Sequence, residues 1–130
     1  MNSLPIYDYL ILHPHYSNNE ILNIAETAHK EGKKTVLYSV PDFKIRKKLL
    51  RYVSIAVFDE FQMGEVSKVS INGLSSLKNA MLRLYGRGVE TVIVKMRSGE
   101  TLVFAEERFL LLEENEEKQY ADIPGLNLKS

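Results

Sequence analysis

The chain has 130 residues and a mass of 14.9 kDa, one domain of ordinary size, and folding buries about two-thirds of the surface such a chain exposes when unfolded. Hydrophobic residues make up 45% and charged residues 26% of the sequence, which excludes wholesale disorder. Lys and Arg number 17, Asp and Glu number 17, and cysteine is absent, which argues against a general binder of nucleic acid or membrane surfaces and excludes disulfides and thiol chemistry.

The first apolar run, Ile6 to Leu12, is short and rich in β-formers and predicts a buried strand. It is far below the ~20 residues of a membrane span, and the residues before it lack the basic opening of a signal peptide. With no cysteine in the chain, a cytoplasmic location is expected. Ser17-Asn18-Asn19-Glu20 has the form of a capping box, and Ile21, Leu22, Ile24, Ala25 and Ala28 follow at helical spacing up to Gly32. Lys34 to Val40 predicts a second strand. Asp42 then caps an expected helix, DFKIRKKLLRY, with Phe43, Leu49 and Leu50 facing inward.

Val53 to Phe58 predicts a third strand, Phe61 to Val66 a short helix, and Leu74 onward a longer helix with Leu77, Met81 and Leu84 on one stripe. Gly86 and Gly88 stop that helix. Thr91 to Met96 predicts a fourth strand, and Ser98-Gly99 turns it into Thr101 to Phe104 and Arg108 to Leu112. The alternation up to residue 96 predicts an α/β domain over 1–130, a three-layer sandwich with a mostly parallel sheet and an antiparallel extension at 101–112. Two junctions echo each other, Gly32-Lys33-Lys34-Thr35-Val36 and Gly88-Val89-Glu90-Thr91-Val92.

Chemistry is sparse. Residues 29–51 hold eight Lys or Arg against two acids, and residues 106–117 hold six Glu against one Arg, as solvated faces do. His13 and His15 fall on one side of an extended segment, but no third ligand has matching spacing, so no metal site is assigned. Glycine-rich phosphate loops of the G-x-x-x-x-G-K-[ST] and G-x-G-x-x-G forms are absent, as is any diagnostic Ser/His/Asp spacing.

The order of five segments is more specific: YDYLILH, HKEGKKTVLYS, SIAVFDEFQMGE, LYGRGVETVIVKMRSGETLVF and YADIPGLNL. It resembles the later half of the nucleotide-binding core of the PfkB/ribokinase family of carbohydrate kinases, with RGVETVIVKM as the most telling piece. The resemblance implies a ribokinase-like fold, ATP and Mg as cofactors, and nucleotide- or phosphate-binding positions at Asp59, Gln62, Lys95, Arg97, Gly99 and Gly125.

The departures fall on those positions. The family's N-x-x-E reads Asp59-x-x-Gln62, and its T-x-G-x-x-G reads Lys95-Met96-Arg97-Ser98-Gly99-Glu100. The base position of its G-A-G-D motif is Leu128, two residues before the end of the sequence, so the anion-hole helix is not expected. No catalytic residue is assigned. The expectation is a truncated, inactive relative that serves as a binding or assembly module. Its unpaired sheet edge and the apolar ribbon Phe109 to Leu112 favour a homodimer. The alternatives are a fragment that keeps ATP or sugar-phosphate affinity and is completed by a partner chain, and a generic Rossmann-like or flavodoxin-like domain.

Overall fold

The computed structural model describes residues 9–13, 17–38 and 44–113. In chain order the elements are strand β1 (Tyr9–Leu12), helix α1 (Asn18–Lys30), β2 (Lys34–Tyr38), α2 (Lys47–Leu50), β3 (Ile55–Asp59), α3 (Glu60–Ser67), α4 (Leu74–Gly86), β4 (Thr91–Lys95), β5 (Thr101–Ala105) and β6 (Arg108–Leu112). The strands form one sheet in the order β1-β2-β3-β4-β5-β6. The pairings from β1 to β4 are parallel and those from β4 to β6 antiparallel. The α/β class, the mostly parallel sheet and the antiparallel extension are as expected from the sequence. None of the described helices is long and apolar enough to cross a membrane.

The core forms on one face of the sheet. Along β2, β3 and β4 alternate residues are buried. Leu37, Ala56, Phe58, Val92, Val94, Leu102 and Phe104 join Ile21 and Ala25 of α1, Leu49 and Leu50 of α2, Met63 of α3 and Leu77, Met81 and Leu84 of α4 in one cluster. Consecutive, spatially adjacent parallel strands linked by right-handed crossovers place every connecting helix on the same side. Of the three layers expected, the described residues therefore form two, the sheet and one helix layer.

Local chemistry sets the helix ends. The Ser17 hydroxyl accepts from the Glu20 N–H (3.2 Å) while the Glu20 carboxylate accepts from the Ser17 N–H (3.0 Å), the reciprocal pair foreseen for α1. The helix expected from Asp42 is shorter than its sequence implies. Arg46 is extended and occupies the N-cap without a side-chain hydrogen bond, so the helix begins at Lys47; Asp42 and Phe43 lie outside the described residues. The basic run from Lys44 to Lys48 has no acidic partner in the first turn to offset repulsion with the helix dipole, and only Leu49 and Leu50 are buried.

β3 starts at Ile55, two residues later than expected, because Val53 and Ser54 serve the junction before it. The Val53 N–H donates to the Leu50 carbonyl (3.1 Å) and closes the turn of α2. Thr35 is fully buried at the start of β2. Its hydroxyl donates to the Tyr52 carbonyl (2.5 Å) and accepts from the Ser54 N–H (3.0 Å), while its own N–H donates to the Ser54 hydroxyl (3.0 Å). The Ser54 carbonyl in turn accepts from the N–H groups of Thr91 (3.0 Å) and Glu90 (3.1 Å). The two Thr-Val junctions thus converge on one serine. Gly88 fits beside them because it lacks a side chain: its φ is +116°, and an added Cβ would lie 3.1 Å from the Arg51 Cα.

The β5–β6 hairpin pairs Ala105 with Arg108 across Glu106 and Glu107. Both turn residues have positive φ, 51° and 65°. Such a two-residue turn favours Asn-Gly, and glutamate there costs roughly 1 kcal/mol per residue. The Phe109–Leu112 ribbon is divided between the faces. Phe109 and Leu111 pair with Phe104 and Leu102 on the helix side, and Leu110 pairs with Val103 on the other. The Phe109 ring packs 4.7 Å from that of Phe104 with the Lys78 ammonium 5.2 Å away, so part of the ribbon is covered by its own helix α4.

Two stability changes are expected in urea titrations followed by circular dichroism. Thr35→Val keeps the shape but strands the Tyr52 carbonyl, and should lower stability by about 2 kcal/mol. A loss below the resolution of the titration would show that the Thr35 hydroxyl is dispensable. Glu106→Asn combined with Glu107→Gly should raise stability by about 1 kcal/mol. Destabilisation would show that the turn needs its carboxylates.

Candidate functional site

In open α/β sheets, the C-terminal ends of the parallel strands face the ligand side. Here that edge contains the end of β3, the start of α3, and the turn between β4 and β5. Asp59 and Lys95 end their strands directly opposite each other in register. Gln62 lies in the first turn of α3, and Arg97 and Gly99 lie in the turn that follows Lys95. The fold therefore brings together Asp59, Gln62, Lys95, Arg97 and Gly99. Gly125 and Leu128 fall outside the described residues.

Asp59 is the N-cap of α3, and its carboxylate accepts from the Gln62 N–H at 2.7 Å. The Asp59-x-x-Gln62 spacing thus has a local explanation, since it matches that of a capping pair. Glu60 reaches across to the next loop, where its carboxylate accepts from the Arg97 N–H at 2.9 Å. The turn itself is closed by the Met96 N–H donating to the Glu100 carbonyl (2.8 Å) and the Gly99 N–H donating to the Met96 carbonyl (3.0 Å). Gly99 has φ +96°, which accounts for glycine at that position. The Glu100 N–H and carboxylate both bond the Ser98 hydroxyl.

A shallow cleft of about 260 Å³ opens beside this turn, lined by Glu60, Phe61, Gly64, Glu65 and Arg97 with Ile71. A second, of about 300 Å³, shares Phe61 and Glu65 and is otherwise edged by Ile45, Val66, Gln62, Lys44, Lys47 and Lys68. Phe61 is 67% exposed. α3 is held from its far end by α4: the guanidinium groups of Arg83 and Arg87 donate to the Ser67 (3.2 Å) and Val66 (3.3 Å) carbonyls. These are last-turn carbonyls without partners inside the helix.

The arrangement binds backbone more than it offers chemistry. Both acids at the end of β3 accept backbone N–H groups, each on one oxygen, and Lys95 stands in register with Asp59. A Mg-nucleotide centre needs carboxylates that bind metal alongside donors for phosphate; here one oxygen of Asp59 and one of Glu60 are taken by backbone N–H groups. Among the described residues no three His, Asp or Glu side chains group closely enough to hold a metal. His13 is exposed at the end of β1, and His15 lies outside the described residues. The bond between Glu60 and the Arg97 backbone was not legible in the sequence, because the two are joined only when β3 and β4 pair.

No family model and no curated protein matches the sequence. Solved structures do match the fold. Ribokinase from Arabidopsis thaliana, solved with ribose and ATP, superposes with a TM-score of 0.69 at 17% identity, covering 82% of this chain and 34% of that one. Ribokinase from Thermotoga maritima gives 0.67 at 17% identity, covering 82% and 35%. Phosphofructokinase-2 from Escherichia coli, in complex with fructose-6-phosphate, gives 0.68 at 13% identity, covering 83% and 38%. The chain spans little more than a third of the length of each of these kinases. The parallel run β1 to β4, its one-sided helices and the antiparallel ribbon that follows thus belong to the ribokinase-like fold.

Proposed function

We propose that this chain is a ribokinase-like module without kinase activity of its own, a single cytoplasmic domain that works by binding or assembly, with a homodimer as its form. The observation that carries this reading is the use of Asp59 and Glu60. Each carboxylate at the site end of β3 spends one oxygen on the backbone, Asp59 to cap a helix and Glu60 to pin a turn, so both acids have structural roles that account for their presence. Three sequence features support it. Arg97 and Glu100 stand where the resembled family has glycines that let a nucleotide approach the backbone, and Leu128 stands at the position of its catalytic base. Phosphoryl transfer is almost entirely positioning and electrostatics, so loss of these parts removes the rate.

Lys95 and Arg97 favour a second reading, residual affinity for a phosphate without turnover, which leaves ATP as a ligand rather than a co-substrate. Titration of the purified chain with ATP and with MgATP separates the two readings: saturable binding supports the second, and its absence supports the first.

Two outcomes are expected. Incubation with MgATP and ribose, fructose-6-phosphate or pyridoxal should release no ADP above the rate without acceptor. Acceptor-dependent release that disappears in Asp59→Ala would overturn the inactive reading, whereas release that persists in this variant points to a contaminating kinase. Asp59→Ala should also lower stability by about 1 kcal/mol through loss of the α3 cap, measured by urea titration. A variant as stable as the parent would free Asp59 from its structural role.

A further inference from the structure

The sheet has a second face, and none of the described helices lies on it. Tyr38, Val57, Ile93, Val103 and Leu110 stand side by side in register across β2 to β6, an uninterrupted apolar row on the side opposite the core. Ile11 extends it on β1, opposite Val36. Ile11 and Tyr38 are each 46% exposed and Leu110 55%. Parallel strands are normally covered on both faces, and an apolar patch of this extent on a monomer marks a contact surface.

We infer that this open face is the assembly surface of the chain and that a second copy covers it, face to face. The inference rests on the assembly reading above and moves its contact from the edge ribbon to the sheet. Size is the first argument. Six strands spaced by ~4.8 Å and about five residues long at ~3.3 Å each give a face of roughly 29 by 17 Å, or about 500 Å² in projection. Two such faces remove about 1,000 Å² before side-chain relief is counted, the level at which specific interfaces begin. Stacked sheets about 10 Å apart satisfy both copies at once.

Charge is the second argument. The rims of the face carry opposite charges side by side, Lys34 bonded to Glu90 at 2.9 Å at one end and Lys95 in register with Asp59 at the other, and Arg108, two residues from Leu110 on the same side of β6, adds one cation at the first end. A face with nearly balanced charges repels its own copy little, and a two-fold pair needs one self-complementary patch.

Sedimentation of the full chain at micromolar concentration, with three variants, tests the inference. The parent should run at twice 14.9 kDa. Ile93→Glu, at the centre of the face, should weaken the dimer about 100-fold, whereas Leu111→Lys, on the helix side of the ribbon, should leave it intact. Because the chain has no cysteine, Ile93→Cys supplies a unique thiol. A short bismaleimide should link it across the dimer, a readout that survives if Ile93→Glu fails to fold. A dimer that persists in folded Ile93→Glu, or an Ile93→Cys dimer that does not cross-link, overturns the face inference and leaves the assembly reading standing. A monomeric parent overturns both readings. In that case a slowly reacting Ile93→Cys thiol identifies a segment of the same chain as the cover, and a rapidly reacting one shows the face open in the isolated chain.

Discussion

The handedness of the chain governs this structure. Each of the first three connections links a strand to its immediate neighbour in the sheet, and a right-handed crossover can return to a neighbouring parallel strand only over one side. All four described helices therefore gather on one face, where Ile21, Leu50, Met63 and Leu84 meet a single set of strand residues. The alternation of each strand is thereby divided in two. One half becomes a dry core, and the other becomes an apolar surface with no helix above it among the described residues. Neither half differs greatly in residue type, since Val57 and Ile93 on the open side are as apolar as Phe58 and Val92 on the closed one.

The two ends of the sheet do different work. At the start of the strands, Thr35, Ser54 and Thr91 close a set of hydrogen bonds that ties β2, the α2–β3 junction and β4 into one unit. The echo between the two Gly-x-x-Thr-Val junctions is explained there: β3 lies between β2 and β4, so both junctions must meet the residue that precedes it. At the other end, where a ligand site is expected, hydrogen bonding is equally thorough but uses charged side chains. Asp59 and Glu60 are committed to the backbone of α3 and of the β4–β5 turn. Two shallow clefts remain beside these bonds.

The edge and the face make different demands on a partner. Leu110 projects from β6 on the open side while Phe109 is engaged with Phe104 and Lys78 on the other. A partner that merely extended the sheet along β6 would satisfy backbone groups and leave the row from Tyr38 to Leu110 in water. A partner stacked on the face covers the whole row but leaves the edges unpaired.

The sequence by itself determined the order of elements, the α1 capping box, the stripe on α4, the parallel-to-antiparallel change after Met96 and the resemblance to ribokinase-like kinases. These are carried by local signals: periodicity, capping residues, and glycines at positive φ such as Gly88 and Gly99. It overextended α2, because helical spacing in DFKIRKKLLRY says nothing about whether a basic first turn has a partner. Asp59-x-x-Gln62, which the resemblance marks as a ligand position, also has the spacing of a helix cap, and in the structure Asp59 caps α3. Only the tertiary structure decided that Glu60 holds the Arg97 backbone, that Phe109 and Leu110 serve opposite faces, and that the helices share one side. Each of these depends on which strands become neighbours and on the hand of the connections, and neither is encoded in any window short enough to read as a motif.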